Sequence, residues 1–432
     1  MQTGSLEHSQ ENAAAQAGAT GQAPSLLPAM QAEYGAFKAQ GLKLDMSRGK
    51  PCREQLDLSD GMYVDSLMLK AADGTDCRNY GNIDGIPEAR ALFASLFGIR
   101  TEEVIVGGNS SLNLMYDTMA RAYLHGLAGC EKPWSQIGKV KFLCPTPGYD
   151  RHFSICELFG MEMIQVDMTL NGPDMDQVES LAASDPAIKG IWCVPLYSNP
   201  TGVSYSEETV RRLAAMKTAA SDFLIFWDNA YAFHHLYETA DSIPEMLSEC
   251  RQAGNPDRVI MFSSTSKITW PGAGIAILAA SVTQVARIRK LMGIQTIGPD
   301  KITQLMHVRH MKDKENVSAL MKRHADIIRP KFDMVLDMLE EKLGGTGLAS
   351  WNCPRGGYFI SLDVMPGKAK RVVQLAKEAG VVLTPAGATW PYGKDPADRN
   401  IRIAPTFPPL EELRAAIRIL CVCVQLAALE NS

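Results

Sequence analysis

The sequence predicts an α/β fold with a largely parallel sheet and helices on both faces. Two observations carry that expectation. Short apolar runs that stop abruptly on polar, glycine- or proline-containing motifs recur at residues 104–106, 140–144, 191–194, 223–227 and 259–262, with a further strand at 275–279. Between several of them lie stretches of helical period, such as residues 207–220, where Val210, Leu213 and Met216 form one stripe. Alternating strands and helices build parallel sheets. In such sheets ligands bind beyond the carboxyl ends of the strands. Every polar motif falls at such an end, so the motifs are expected to converge on one composite site.

Bulk properties narrow the function. The 432 residues suffice for two or three domain-sized cores, and 46% hydrophobic with 21% charged residues is ordinary globular composition. A net charge of −5 with no long single-sign run argues against a nucleic-acid binder, which shows a basic face. None of the ten cysteines forms a Cys-x-x-Cys pair and several sit inside apolar runs, which reads as reduced core thiols in a cytoplasmic protein. No stretch approaches the roughly 18–20 apolar residues of a membrane span, and the N-terminus lacks the pattern of a secretory signal.

Residues 1–25 are rich in Gln, Ala, Gly and Ser and poor in large apolar side chains, so a disordered tail is expected, with its boundary set at 28. Residues 30–40 read as a short helix with Tyr34 and Phe37 on one face. In the turn at 44–51, Gly49 lies between Arg48 and Lys50; it is either an exposed turn or a backbone that comes close to an anionic ligand. A glycine-punctuated loop at 79–86 leads into a helix that Pro87 opens. Strand 104–106 runs into Gly107-Gly108-Asn109-Ser110-Ser111, followed by Leu112, Met115 and Met119 at helical spacing. Such a turn is an ordinary N-cap or a phosphate cradle, in which free N–H groups and the helix dipole face the anion. No Gly-Lys-Ser/Thr follows, so it is not a P-loop.

The next strands end on Pro145-Thr146-Pro147-Gly148-Tyr149, Tyr197-Ser198-Asn199-Pro200-Thr201-Gly202, Asp228-Asn229-Ala230-Tyr231 and Ser263-Ser264-Thr265-Ser266-Lys267-Ile268-Thr269. Lys267 is either a loop lysine among serines or an amine against apolar walls, where desolvation lowers its pKa and frees its lone pair for attack on a carbonyl. Residues 293–298 read as a loop and 299–343 as a long helical region, with His307, His310 and His324 expected at solvated positions and not as metal ligands. Strand 356–360, helix 368–380, strand 400–404 and a final helix from Leu410 complete the chain. Arg402 alternates with Ile401 and Ile403, so it faces away from the core side; it is a surface residue or a fork for a carboxylate.

An activatable lysine (Lys267), a phosphate seat (Asn109, Ser110 and Ser111 with Ser264 and Ser266) and a buried aspartate (Asp228) are together what pyridoxal phosphate demands. The lysine forms the imine and the aspartate keeps the ring nitrogen protonated. Asn199 and Tyr231 can hydrogen-bond the ring's phenolic oxygen, and Tyr149 can stack on its face. No metal ligand set is expected.

Asn-Pro-Thr-Gly at 199–202, Asp-x-x-Tyr at 228–231, Ser-x-Ser-Lys at 264–267 and the late Arg402 resemble fold-type-I pyridoxal-phosphate aminotransferases, over residues 40–430. Ser47-Arg48-Gly49-Lys50-Pro51, Gly107 to Leu112, Cys144 to His152, Trp227 to Tyr231 and Ser264 to Thr269 are similar to one branch, the bacterial class Ic aspartate aminotransferases. The resemblance implies a large cofactor-binding domain at 61–310 with a doubly wound sheet, and a smaller α+β domain built from both chain ends, 29–60 and 311–432. It implies transfer of an amino group between L-aspartate and 2-oxoglutarate through an aldimine on Lys267, which then moves the proton. Asp228 is implied to pair with the pyridinium nitrogen, Ser264 and the 109–111 loop to hold the phosphate, and Arg402 to clamp the substrate α-carboxylate beside Gly49. It also implies a homodimer in which Tyr80, in a Tyr-x-x-x-x-Gly pattern, reaches the neighbouring subunit's phosphate.

The chain departs from its relatives twice. A phosphate-binding arginine is absent from Trp270-Pro271-Gly272-Ala273-Gly274-Ile275. The arginine that reads a substrate side-chain carboxylate has no clear counterpart; Arg48, Lys50, Arg78 and Arg355 are candidates. Three rival functions share some of these motifs. Ser264-Thr265-Ser266-Lys267 also spells the acyl-serine motif of penicillin-binding proteins, but the companion Ser-Asn precedes it and no Lys-Thr-Gly follows. A regulator on the same fold needs a DNA-binding module, for which the tail is too short and not basic. β-Elimination, decarboxylation and transamination of another amino acid share the imine chemistry and stay open.

Overall fold

A computed structural model describes residues 23–62 and 69–430. Helix α1 (Ala23–Ala39) already begins at Ala23, ahead of the expected boundary at 28; the tail expectation for residues 1–22 lies outside the described residues. Strand β1 (Leu44–Asp45) and helix α2 (Arg53–Asp57) follow. Helix α3 (Pro87–Phe97) starts on Pro87 and stops at Gly98, whose φ of 68° is a left-handed cap that costs glycine little.

The main sheet comprises β2 (Val104–Val106), β3 (Lys141–Thr146), β4 (Glu162–Thr169), β5 (Gly172–Pro173), β6 (Ile188–Cys193), β7 (Leu224–Asp228), β8 (Val259–Ser264) and β9 (Ala276–Ala280), in the spatial order β2-β9-β8-β7-β6-β3-β4-β5. Strands β4, β3, β6, β7 and β8 are mutually parallel. Strand β9 is antiparallel to both β8 and β2, so β2 shares the common direction. The carboxyl ends of β2, β3, β6, β7 and β8 therefore lie along one edge.

Strand alternation feeds a separate core on each face. Phe142, Trp192, Phe226 and Phe262 pack with Met115 and Met119 of α4 (Ser111–His125). Helices α5 (Asp150–Leu158) and α6 (Met175–Ser184) follow in the chain. On the opposite face Leu143, Ile191, Ile225 and Met261 pack with Val210 and Leu213 of α7 (Glu207–Ala215). The sheet is doubly wound, as expected.

Some boundaries differ from the sequence reading. Helix α7 ends at Ala215 and does not reach 220, because Asn255 and Arg258 cap its last carbonyls: Asn255 Nδ2 donates to Ala214 O at 2.9 Å and Arg258 donates to Met216 O at 2.7 Å. After α8 (Met246–Gln252), helix α9 (Val282–Gln295) extends into the expected 293–298 loop, where Arg121 donates to Gln295 Oε1 at 2.6 Å and ties the last turn to α4. The long helical region divides into α10 (Lys301–Met311) and α11 (Lys314–Leu343) at Lys312, whose φ is 56°; Asp313 caps the second helix. Two of its three histidines are not solvated. His307 and His324 are buried at the inner faces of α10 and α11, because hydrogen-bonding partners meet them there.

The rest of the chain forms a second layer of strands and helices: β10 (Ala349–Trp351), β11 (Ile360–Val364), α12 (Ala369–Glu378), β12 (Val381–Val382), β13 (Asn400–Ile403) and α13 (Leu410–Leu429). Strands β10-β11-β13 are antiparallel, and β1 pairs in parallel with β12 through Leu44 and Val381. Phe37, Leu44 and Met46 share a core with Phe332, Val335 and Leu339 of α11 and with Ile417 and Leu420 of α13, so the two chain ends fold together.

Candidate active site

The loops after the carboxyl ends of β2, β3, β6, β7 and β8 meet β13 and the turn at Gly49 around a cavity of 750 Å³. Lys267, Asp228, Tyr231, Asn199, Tyr149, Ser110, Ser111, Ser264, Ser266, Gly49 and Arg402 all line it. Residues between Ser110 and Lys267 converge because the parallel strands share one direction, while Gly49 and Arg402 reach the cavity from the two chain ends, which fold together.

Lys267 follows β8 in a tight turn, where Ile268 N and Thr269 N both donate to Thr265 O at 2.9 Å. Its Nζ lies 5.0 Å from the Tyr231 ring centroid and 5.9 Å from that of Tyr358. Burial holds its pKa below the ordinary lysine value, and the Asp228 charge opposes that shift only in part. The amine is therefore more readily neutral than an exposed lysine.

Asp228 ends β7 and is 3% exposed. Its Oδ2 lies 3.0 Å from His152 Nε2, and its Oδ1 is buried with no partner among the described residues. His152 stacks on Trp192 with ring centroids 4.2 Å apart and planes 8° apart, and Tyr149 meets its edge at 4.9 Å. His152 lies inside the Cys144 to His152 motif, and nothing in that motif alone points to its role. The signal was the spacing: Tyr149 and His152 lie three residues apart at the start of α5, so both reach the same face. Burial, then the nearby Asp228, raises the Tyr149 phenol to about 12, and burial likewise drives Tyr231 well above the ordinary range.

Arg402 sits on β13 between Ile401 and Ile403 and is only 7% exposed, so the face opposite the core is the cavity and not solvent. It donates to Asp150 Oδ1 at 3.0 Å, Asn199 Oδ1 at 3.2 Å and Thr384 Oγ1 at 3.1 Å. Its guanidinium lies 4.9 Å over the Phe359 ring, and its Nε has no partner among the described residues. Asp150, Thr384 and Phe359 were not singled out from sequence. Gly49 is needed by close approach: a Cβ there would fall 2.5 Å from Phe359 Cζ.

At the other end of the cavity Ser110 caps α4, its Oγ accepting from Leu112 N at 3.2 Å, and Ser111 opens the helix. Ser264 Oγ donates to Ser266 Oγ at 3.0 Å. Two expected members stand apart. The Asn109 side chain is exposed and does not line the cavity; its carbonyl accepts from Ser266 Oγ at 3.3 Å. Tyr80 is 74% exposed and lines a separate surface cleft with Arg78 and Lys301. Of the four cations considered for a side-chain carboxylate, Arg48 alone lines the cavity. Lys50 packs over Phe407, Arg78 pairs with Asp76, and Arg355 pairs with Asp241. Arg151, which sequence reading passed over, lines the cavity as well.

Comparison with known proteins agrees with this geometry. A family model described as "Aspartate amino-transferase" matches residues 19–432. The chain is 52% identical over 406 residues to a Mycolicibacterium smegmatis relative, covering 93% of this chain and 94% of the relative. It is 48% identical over 401 residues to the aspartate aminotransferase of Corynebacterium glutamicum, covering 92% and 93%. The crystal structure of an aspartate transaminase from Corynebacterium glutamicum superposes with a TM-score of 0.93 at 46% identity, covering 95% of this chain and 97% of that one. The chain belongs to the aspartate amino-transferase family and is a pyridoxal-phosphate-dependent aminotransferase of fold type I.

Proposed function

We propose that this aminotransferase takes the amino group from L-aspartate and delivers it to 2-oxoglutarate, with pyridoxal phosphate carried on Lys267 in the cavity described above. One observation carries the cofactor assignment: the unpartnered Oδ1 of buried Asp228 lines the same space as the desolvated Lys267 amine. A buried carboxylate oxygen without a donor is costly, and a ring N–H⁺ would satisfy it. The hydroxyls of Ser264, Ser266 and Ser111, with the amino end of α4, suit the phosphate, which meets no cation from residues 270–275. When bound, the cofactor supplies an electron-withdrawing ring that holds and returns the electron pair of the bond broken at the substrate's α-carbon.

The protein's own residues do the rest. Arg402 is a fork for the α-carboxylate, pre-oriented by Asn199 and Thr384 and backed by Phe359. Lys267 Nζ, lowered in basicity by burial, moves the α-carbon proton. Asn199 and Tyr231 are suited to the ring's phenolic oxygen, and Tyr149, edge-on to His152, to its face. Aspartate is favoured over an apolar donor because Arg48 and Arg151 line the cavity with Arg402. A dicarboxylate needs two such seats.

A homodimer is part of this reading. Tyr80 at 74%, Ile297 at 62% and Ile294 at 86% exposure present apolar surface around a backbone contact, Gly81 N to Ile297 O at 3.3 Å, which suits a second copy of the chain. A cytoplasmic location is supported by cysteines that are all free and mostly buried. No described helix is long and apolar enough to cross a membrane. The test of the reaction is a half-reaction: aspartate alone converts the bound cofactor to its amine form with stoichiometric oxaloacetate. Alanine with carbon dioxide in its place would favour decarboxylation, and fumarate with ammonia would favour elimination.

A further inference from the structure

Beneath the cavity lies a buried polar network that the proposed reaction does not use. The carbonyl of Lys267 accepts from His234 Nε2 at 3.2 Å and from the Tyr358 hydroxyl at 3.4 Å. A carbonyl has no proton to give, so Nε2 of His234 carries the hydrogen; Nδ1, buried and without a partner, is then the bare nitrogen. Tyr358 is oriented in turn. Gln55 Nε2 donates to its oxygen at 3.0 Å and lies 3.0 Å from His324 Nδ1, while Gln55 Oε1 accepts from Cys52 N at 3.1 Å. The amide oxygen and nitrogen of Gln55 are thereby assigned, and the Tyr358 hydrogen is directed at Lys267 O.

A second grip flanks the first. His307 Nδ1 lies 2.8 Å from Thr303 O, which only accepts, so its Nε2 is an acceptor. The hydroxyls of Thr265 and Thr269 reach that nitrogen at 3.1 and 2.8 Å. Gln55, His234, Tyr358, His307, His324, Thr265 and Thr269 are each no more than 3% exposed. His234 from the loop after β7 and Tyr358 from the segment before β11 donate to the turn that carries Lys267, His307 of α10 accepts from it, and Gln55 of α2 backs Tyr358, so the turn is held from several parts of the fold at once.

We propose that His234 and Tyr358 are positioning residues: by fixing the main chain at Lys267 they hold its amine between the rings of Tyr231 and Tyr358, inside the desolvated cavity. The inference rests on Lys267 as the reacting amine. Polar side chains buried this completely are kept where a fixed geometry is required, and misplacement by about 1 Å at a reacting group costs on the order of 100-fold in rate. If either donor is lost the turn relaxes, the amine reaches water, and its affinity for a proton rises toward that of an ordinary lysine. Asp228 is the charged group facing the amine from β7, and it is unchanged in the variants below.

The test uses the cofactor-free and loaded full-length chain side by side. Competitive acetylation across pH, read by peptide mass spectrometry, gives the titration midpoint of Lys267 without cofactor. Tyr358→Phe and His234→Leu are expected to raise that midpoint by roughly one unit, and His234→Gln, whose side-chain amide can present an N–H near the place of Nε2, to restore it. In the loaded enzyme Tyr358→Phe and His234→Leu lower kcat by about tenfold with KM unchanged. Midpoints that stay at the wild-type value in Tyr358→Phe, which only deletes a hydroxyl, overturn the clamp; so does a His234→Gln variant no better than His234→Leu. A wild type that never attaches cofactor to Lys267 sinks the functional reading, while the acetylation midpoints still decide the clamp.

Discussion

His152 Nε2 lies 3.0 Å from Asp228 Oδ2, while Oδ1 of the same carboxylate lies buried without a partner. One oxygen is thus anchored by a ring that is itself stacked on Trp192, and the other is left for a ligand. Asp228→Asn removes the charge and keeps the shape. It is expected to cost about 3 kcal/mol, on the order of 100-fold in kcat/KM. His152→Leu, which loosens the carboxylate and keeps its charge, is expected to cost on the order of tenfold. Steady-state kinetics and cofactor titration measure both; a His152→Leu loss equal to that of Asp228→Asn would contradict this division of labour.

Gly49 and Phe359 make a second such relationship. A methyl group on Gly49 would sit 2.5 Å from Phe359 Cζ, and Phe359 supports the Arg402 guanidinium at 4.9 Å. Gly49→Ala therefore displaces the ring and disorders the fork. KM for the amino acid is expected to rise on the order of tenfold with a smaller change in kcat, and Gly49→Ala/Phe359→Leu to recover part of the loss. A Gly49→Ala enzyme with wild-type KM removes Phe359 from the account of the clamp.

Specificity is expected to reside in the two exposed arginines of the cavity. Arg151→Leu and Arg48→Leu are tested separately with aspartate and alanine as donors. At least one should raise KM for aspartate by about 10- to 100-fold and leave alanine turnover unchanged, because only aspartate has a second carboxylate to lose. Equal losses for both donors would mean that these arginines do not read the side chain.

The buried histidines give the pH dependence of stability a sign. Burial lowers His234 to about 3 and His307 and His324 to about 4, from an unfolded value of 6.5. Below 6.5 the unfolded chain binds protons that the folded chain refuses, so stability is fully present above pH 6.5 and is lost as pH falls toward 4. Urea midpoints of the cofactor-free chain should fall across that window, and His307→Gln should flatten the slope. A slope that His307→Gln leaves unchanged would assign the acid sensitivity elsewhere.

The centre of the sheet was legible in the sequence because β3, β6, β7, β8 and β9 are buried on both faces and read as apolar runs, whereas the half-exposed edge strand β4 and the two-residue β5 were not. Helix ends were less legible, because distant side chains decide them; Arg258 capping α7 is an example. In the site, Lys267, Asp228, Asn199 and Arg402 stood out because each breaks an apolar context or a turn. His152 did not, since its partner lies 76 residues away and only the fold brings them together. His307 and His324 were placed in solvent for the same reason: helical period alone does not reveal that Thr265, Thr269 and Gln55 wait on the inner face. Asn109 fits a cradle by motif, yet its side chain turns outward and only its carbonyl joins the site.

Lys267 is the residue proposed to carry the cofactor. Borohydride reduction of the purified yellow protein, followed by peptide mapping, should place a single phosphopyridoxyl group on the peptide containing Lys267 and none in Lys267→Ala. A colourless wild type after added cofactor, or a label on any other lysine, would contradict the account.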